Sequence, residues 1–151
     1  MTDPTSKLRT IATYQFGPGA GEALFPTGED RSINYSSGGR PRQVHGPHGR
    51  IVSLGTDGRF TLGIEGGRRL AAALDEPRSR VVVGSESDPY VRDGRNAFAK
   101  FVQTVDPAIR PGDEVLVVTD DLIAVGRAAL SASECLAFET GVAVDVRESI
   151  D

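Results

Sequence analysis

The 151-residue chain holds one cysteine, Cys135, and no tryptophan. A single thiol excludes an internal disulfide, and it points to a reducing, cytoplasmic setting. No apolar run approaches the roughly 18 residues of a membrane span, so no membrane partner is expected. The opening MTDPTSKLRTIA lacks the basic-then-apolar layout of a secretory leader. Lysine is almost missing: of 17 cationic side chains only Lys7 and Lys100 are lysines, and the remainder are arginines.

What is present is ordinary in total and uneven in place. At 38% apolar and 25% charged residues, the composition is that of a globular protein able to bury a core. Arginine offers a planar fork suited to phosphate, although biased coding is the plainer source of so many. Residues 1–77 carry net charge +1 and residues 78–151 carry −5, for a total of −4. Such a balance argues against a strong nucleic-acid field, and no DNA partner is expected. An RNA binder with these numbers would need its cations gathered on one face.

Along the chain, Asp3-Pro4 reads as a helix cap and first helical residue, with Leu8, Ile11, Ala12 and Phe16 at helical spacing behind it. FGPGAG interrupts, and GEALF resumes as a short second helix. SINY, the run around RQVH, RIVSL and RFTLGI read as strands, with hairpin turns at Gly46-Pro47 and Asp57-Gly58. A helix over Glu65–Pro77 would bury Leu70, Ala73 and Leu74. Beyond a boundary near Glu76–Arg78, RVVVG, NAFAKFV, EVLVV, LIAVGRAAL and GVAVDVRES read as strands. SESDPYVRDG reads as a short helix capped by Asp88 and ended by Gly94. Ser131 and Glu134 form a capping box for another. Strand alternation through Phe98–Val102 would place Phe98, Lys100 and Val102 on one face. Five or six strands and two short helices suggest a small closed or half-closed barrel.

Few residues offer chemistry. GPGAG lacks the lysine and the preceding strand of a phosphate loop. HGPH reads as a hairpin tip, and Asp113-Glu114 and Asp120-Asp121 read as turns. Cys135 sits in apolar spacing with Leu136 and Phe138 and reads as core. No cofactor, metal or catalytic residue is expected.

The segments RVVV, DPYVRDGRNAFAKFV, RPGDEVLVV, LIAVGRAALSASECLAF and GVAVDVR together resemble a PUA domain, an RNA-binding pseudo-barrel. LRTIATYQFGPGAGEALF and RIVSLGTDGRFTLGIEGGRRL resemble the domain preceding PUA in archaeal tRNA-guanine transglycosylase, the archaeosine-forming enzyme. The resemblance spans about residues 8–148. It implies an α+β fold: a small α+β domain at 1–76, then a PUA pseudo-barrel of mixed β with short helices at 78–151. The family enzyme also carries a catalytic barrel, which needs roughly 200 residues or more and has no room here. Cys135, His45 and His48 do not make its cysteine-rich zinc set.

The resemblance further implies that the FAKFV strand and the short helix before it form one wall of an RNA groove. Arg92, Arg95, Asn96 and Lys100 lie on that unit, with Arg127 of VGRA on a neighbouring strand. Solvated surface charge is the plainer reading of each. The leading expectation is a non-catalytic RNA-binding protein for tRNA or another structured RNA. One alternative is an accessory subunit of a tRNA-modifying transglycosylase whose barrel lies in trans. Another is a protein-interaction module that has lost RNA binding, which the net −5 of the second half favours.

Overall fold

The computed structural model describes residues 4–150. They form two compact units that part between Leu74 and Asp75.

The first unit opens with α1 (Pro4–Phe16), which buries Leu8, Ala12 and Phe16 along one stripe. Its expected cap, Asp3, lies outside the described residues. After a glycine turn comes α2 (Ala20–Leu24). Four strands follow as a meander in the order β1 (Ser32–Tyr35), β2 (Pro41–Gly46), β3 (Gly49–Leu54) and β4 (Phe60–Leu62). Ile33, Val44, Val52 and Leu62 are cross-strand partners in one row, and the last three of these are buried. On the edge strand β4, the Gln15 side chain donates to the Phe60 carbonyl at 2.9 Å and accepts from its N–H at 2.7 Å. The amide thereby stands in for a missing neighbour strand.

The helix expected over 65–77 is α3, Ile64–Ala73. Leu70 and Leu74 are buried as expected, whereas Ala73 is exposed. The helix ends at Ala73 and Leu74 turns to extended backbone, so the last alanine has nothing to pack on. Glu65, Gly66 and Gly67 complete the buried face instead.

The first unit's arginines are largely structural. Arg69 bonds Glu29 at 2.6 Å, Glu65 at 3.2 Å and the Leu24 carbonyl at 2.9 Å. Burial opposes the Arg69 charge, but these carboxylates outweigh it and raise the guanidinium pKa, while Arg69 holds Glu29 below its ordinary range. Arg9 and Arg31 donate to the carbonyls of Phe25 and Pro26. Together they fix the loop between α2 and β1.

The second unit is a six-stranded sheet with two α-helices. Its strands are β5 (Arg80–Val83), β6 (Ala97–Phe98), β7 (Val102–Val105), β8 (Glu114–Val118), β9 (Leu122–Ala128) and β10 (Val142–Ser149). Their order is β6-β10-β9-β8-β5-β7. All pairs are antiparallel except β5 with β8. The edge strands β6 and β7 are separated in the chain only by a 3₁₀ turn, Ala99–Phe101. One short turn therefore joins both edges, and the sheet is curled into a nearly closed barrel. The Ala99 N–H donates to Gly141 just before β10, and the Phe101 carbonyl accepts from Gly84 just after β5. Valines and alanines from every strand fill the interior.

That turn corrects the expectation of a continuous FAKFV strand. Phe98 and Lys100 do not alternate with Ala99 and Phe101 across a sheet. Ala99 is the buried residue of the turn, and Lys100 points to solvent. Closing the barrel requires a sharp bend here, which a straight strand would prevent.

Asp88 also differs from expectation. It is the first residue of α4 (Asp88–Arg92), not its cap, and Ser87 at the cap makes no side-chain bond. Its carboxylate instead bonds Arg92 and accepts from the Thr119 hydroxyl at 3.0 Å. Helix α5 (Ala132–Ala137) carries the expected capping box: Ser131 and Glu134 exchange side-chain-to-backbone bonds.

Candidate nucleic-acid interface

The segment from α4 to the 3₁₀ turn carries four of the five predicted residues, and Arg127 lies on β9. Helix α4 ends in a Schellman arrangement, with Gly94 N–H bonded to Val91 O and Arg95 N–H to Tyr90 O. Gly94 has φ +88°, a left-handed conformation that glycine adopts without strain. The reversal throws Arg95 back over the helix. Its guanidinium carbon lies 5.9 Å from the Tyr90 ring centroid. Both side chains face solvent, Arg95 at 68% and Tyr90 at 59% exposure. Asp93 is 3.7 Å from Arg95, a contact that solvent screens.

Lys100 is the second open cation. Its Nζ stands 5.0 Å over the Phe101 ring, on the turn that closes the barrel. Phe101 is only partly exposed, so it is the open Tyr90 ring with Arg95 that offers both a stacking surface and a phosphate partner, while Lys100 offers the latter.

Arg92 and Asn96 are engaged within the unit. Arg92 pairs with Asp88 one helical turn back and holds that carboxyl below its ordinary range, with help from Thr119. The Arg92 carbonyl accepts from Ser149 at 2.9 Å. Asn96 donates to Asp145 at 3.4 Å and accepts from the Val146 N–H at 3.0 Å. Both ends of the amide thus brace the approach of β6 to β10.

Arg127 lies on β9, opposite Glu114 of β8 and Asp145 of β10. Its Nε is 3.9 Å from the Glu114 carboxylate. Glu114 is not the turn residue expected. It sits in β8 with a side chain 3% exposed, gripped by both Arg147 nitrogens at 2.8 and 2.7 Å. Thirty-three residues separate the partners, and no local pattern announces such a pair. Tyr90 was missed as well. Its sign was its place on a short amphipathic helix beside Val91, which faces the core.

Cys135 is buried and its thiol pKa is pushed up by desolvation, so it is core as expected. Among the described residues no group of three or more His, Cys, Asp or Glu could hold a metal ion, and no helix is long and apolar enough to cross a membrane.

Comparison with known proteins covers both units. Residues 6–77 match the family model "Patch-forming domain C2 of tRNA-guanine transglycosylase", and residues 79–150 match the PUA domain model. The tRNA-guanine(15) transglycosylase of Pyrococcus furiosus is 45% identical over 147 residues, which is 95% of this chain and 24% of that protein. The chain thus spans about a quarter of the length of the curated relatives it matches. A hypothetical protein of Pyrococcus horikoshii has a similar fold, with a TM-score of 0.70 at 17% identity, covering 96% of this chain and 89% of that one. A conserved PUA domain protein of Thermoplasma acidophilum superposes with a TM-score of 0.64 at 21% identity, covering 93% and 89%. With a patch-forming C2 domain followed by a PUA domain, the chain matches the C-terminal region of the archaeal tRNA-guanine(15) transglycosylases.

Proposed function

We propose that the chain is a non-catalytic RNA-binding protein that holds tRNA through its PUA unit. The observation that carries this is the 45% identity to an archaeal tRNA-guanine(15) transglycosylase across both units. The exposed Tyr90–Arg95 pair, and exposed Lys100 over the half-buried Phe101 ring, support it with suitable chemistry. RNA contacts through phosphate, sugar and stacked bases need cations and aromatics on a rigid frame and no titrating catalyst. Arg95 and Lys100 are the principal contacts in this reading, and Arg127 is a lesser one because Glu114 lies beside it. Arg92 and Asn96 position the segment from within.

The match to a quarter of each relative favours a second reading, in which these two units serve a transglycosylase whose catalytic barrel lies elsewhere. The two readings share the tRNA contact and differ in whether an enzyme partner is present.

Binding of folded tRNA, followed by fluorescence anisotropy across a salt series, tests the shared claim. Affinity should fall as salt rises, since each phosphate contact releases counterions. Equal retention of tRNA and of an acidic polymer without defined shape would defeat it, and would leave a protein-interaction module.

A further inference from the structure

Helix α4 carries Tyr90 and leads into Arg95, yet little in the helix itself holds it still. It is five residues long, and an isolated helix of under about 12 residues is marginal in water. Val91 is its one buried side chain, and Ser87 at its start provides no capping bond. Two hydroxyls outside the helix supply what is missing, one at each end. The Thr119 hydroxyl donates to the Asp88 carboxylate, at the first residue, over 3.0 Å. The Ser149 hydroxyl donates to the Arg92 carbonyl, at the last, over 2.9 Å. Between them Arg92 bonds back to Asp88.

The two anchors come from different strands. Thr119 directly follows β8, and Ser149 ends β10. Strand β9 runs between those two, with Leu122 opposite Val118 and Ala124 opposite Ser149. The helix therefore spans three neighbouring strands and is tied on both sides, with Val91 in the core beneath it. Thr119 and Ser149 are half-buried, whereas Tyr90 and Arg95 face solvent. The Gly94 and Arg95 N–H groups bond the Val91 and Tyr90 carbonyls, so a helix held at both ends also fixes the Arg95 backbone. A ligand that meets a fixed Tyr90–Arg95 pair need not order the helix first, a cost that otherwise lowers affinity.

We propose that Thr119 and Ser149 are positioning residues for the RNA contact: they bind α4, not RNA, and hold Tyr90 and Arg95 in place for it. The inference rests on the reading of the second unit as an RNA binder. It differs from a general stabilising role in one respect. The two hydroxyls should matter to RNA only through Tyr90 and Arg95.

Binding of folded tRNA, followed by fluorescence anisotropy in a double-mutant cycle, tests that difference. Thr119→Val and Ser149→Ala should each weaken binding about three- to tenfold. The salt slope should not change, because no phosphate contact is removed. Thr119→Ser keeps the hydroxyl and should bind as the parent does. In a Tyr90→Ala, Arg95→Ala background, the valine and alanine changes should have no further effect. Equal losses in both backgrounds overturn the proposal, since general destabilisation would give them. So does a Thr119→Ser variant as weak as Thr119→Val. Parental binding by the hydroxyl variants, with weak binding by Tyr90→Ala, Arg95→Ala, overturns the positioning role and leaves the RNA contact standing. If Tyr90→Ala, Arg95→Ala is itself without effect, the RNA contact is misplaced and the positioning role falls with it. Hydrogen exchange of the parent decides the matter without any variant. The Gly94 and Arg95 amides should be protected before tRNA is added and little more so after. Protection gained only on adding tRNA overturns the proposal.

Discussion

Arg95 and Lys100 differ from Arg92 and Asn96 in what they leave behind when truncated. The first two are open to solvent and contact only aromatic faces and one screened carboxylate. Arg95→Ala and Lys100→Ala should each weaken tRNA binding and lower the salt slope by about one unit, with melting temperature nearly unchanged. Asn96→Ala removes both bonds to β10 and should cost about 1–2 kcal/mol of stability, read by urea unfolding. Any loss of RNA affinity there would follow the loss of fold. Acid acts on one ion pair in each unit. Folding depresses the pKa of Asp88 through Arg92 and of Glu29 through Arg69. A depressed carboxylate contributes stability that is full above its unfolded pKa, about 4, and is lost as pH falls through the folded value. Melting temperature should therefore drop steeply between about pH 5 and pH 3, and the Asp88→Asn, Glu29→Gln variant should show a shallower drop. An equally steep profile in that variant would place the acid sensitivity in other carboxylates.

At the scale of elements, the sequence was most legible where one local rule decides. The hairpins at Gly46-Pro47 and Asp57-Gly58, the capping box of α5 and the buried strand EVLVV all stand where turn chemistry and apolar runs placed them. It was least legible where closure of the barrel overrides the local pattern. FAKFV has the composition of a strand, yet its centre is a 3₁₀ turn because β6 and β7 must reach opposite edges of one sheet. The same closure brings β10 hard against β9. A Cβ on Gly126 would lie 2.2 Å from the Asp145 carbonyl oxygen, beside the bulge between Val146 and Glu148. Backbone, not a flexible side chain, blocks that space. Gly126→Ala should therefore cost about 2–4 kcal/mol, measured by denaturant unfolding. An alanine variant as stable as the parent would mean that the bulge yields freely and does not fix the curl. Pairs such as Glu114 with Arg147, or Asn96 with β10, were invisible for the same reason. They exist only once the sheet has curled.

For the whole molecule, the question is how an acidic chain meets a polyanion. Net charge −4 gives no long-range attraction to RNA, so affinity must come from a few cations placed where carboxylates are not. Most arginines are already committed. Arg9, Arg31 and Arg69 hold a loop, Arg92 pairs with Asp88, and Arg147 with Glu114. Arg95, Lys100, Arg110 and, beside Glu114, Arg127 remain on the second unit, and exposed Arg42 and Arg68 are among those on the first. If the PUA unit carries the contact, two or three phosphates are neutralised, and log affinity should fall against log salt with a slope of about −2 to −3. A slope nearer −6 would require cations that the second unit does not present. The location is tested separately from the number. Combining Arg95→Ala with Lys100→Ala should remove most of the salt-dependent affinity, while Arg68→Ala, with or without Arg59→Ala, should leave it within about twofold, well under the tenfold that corresponds to 1.4 kcal/mol. The reverse result would put the RNA on the first unit, whose net charge of +3 over residues 1–74 already sets it apart from the −7 of residues 75–151.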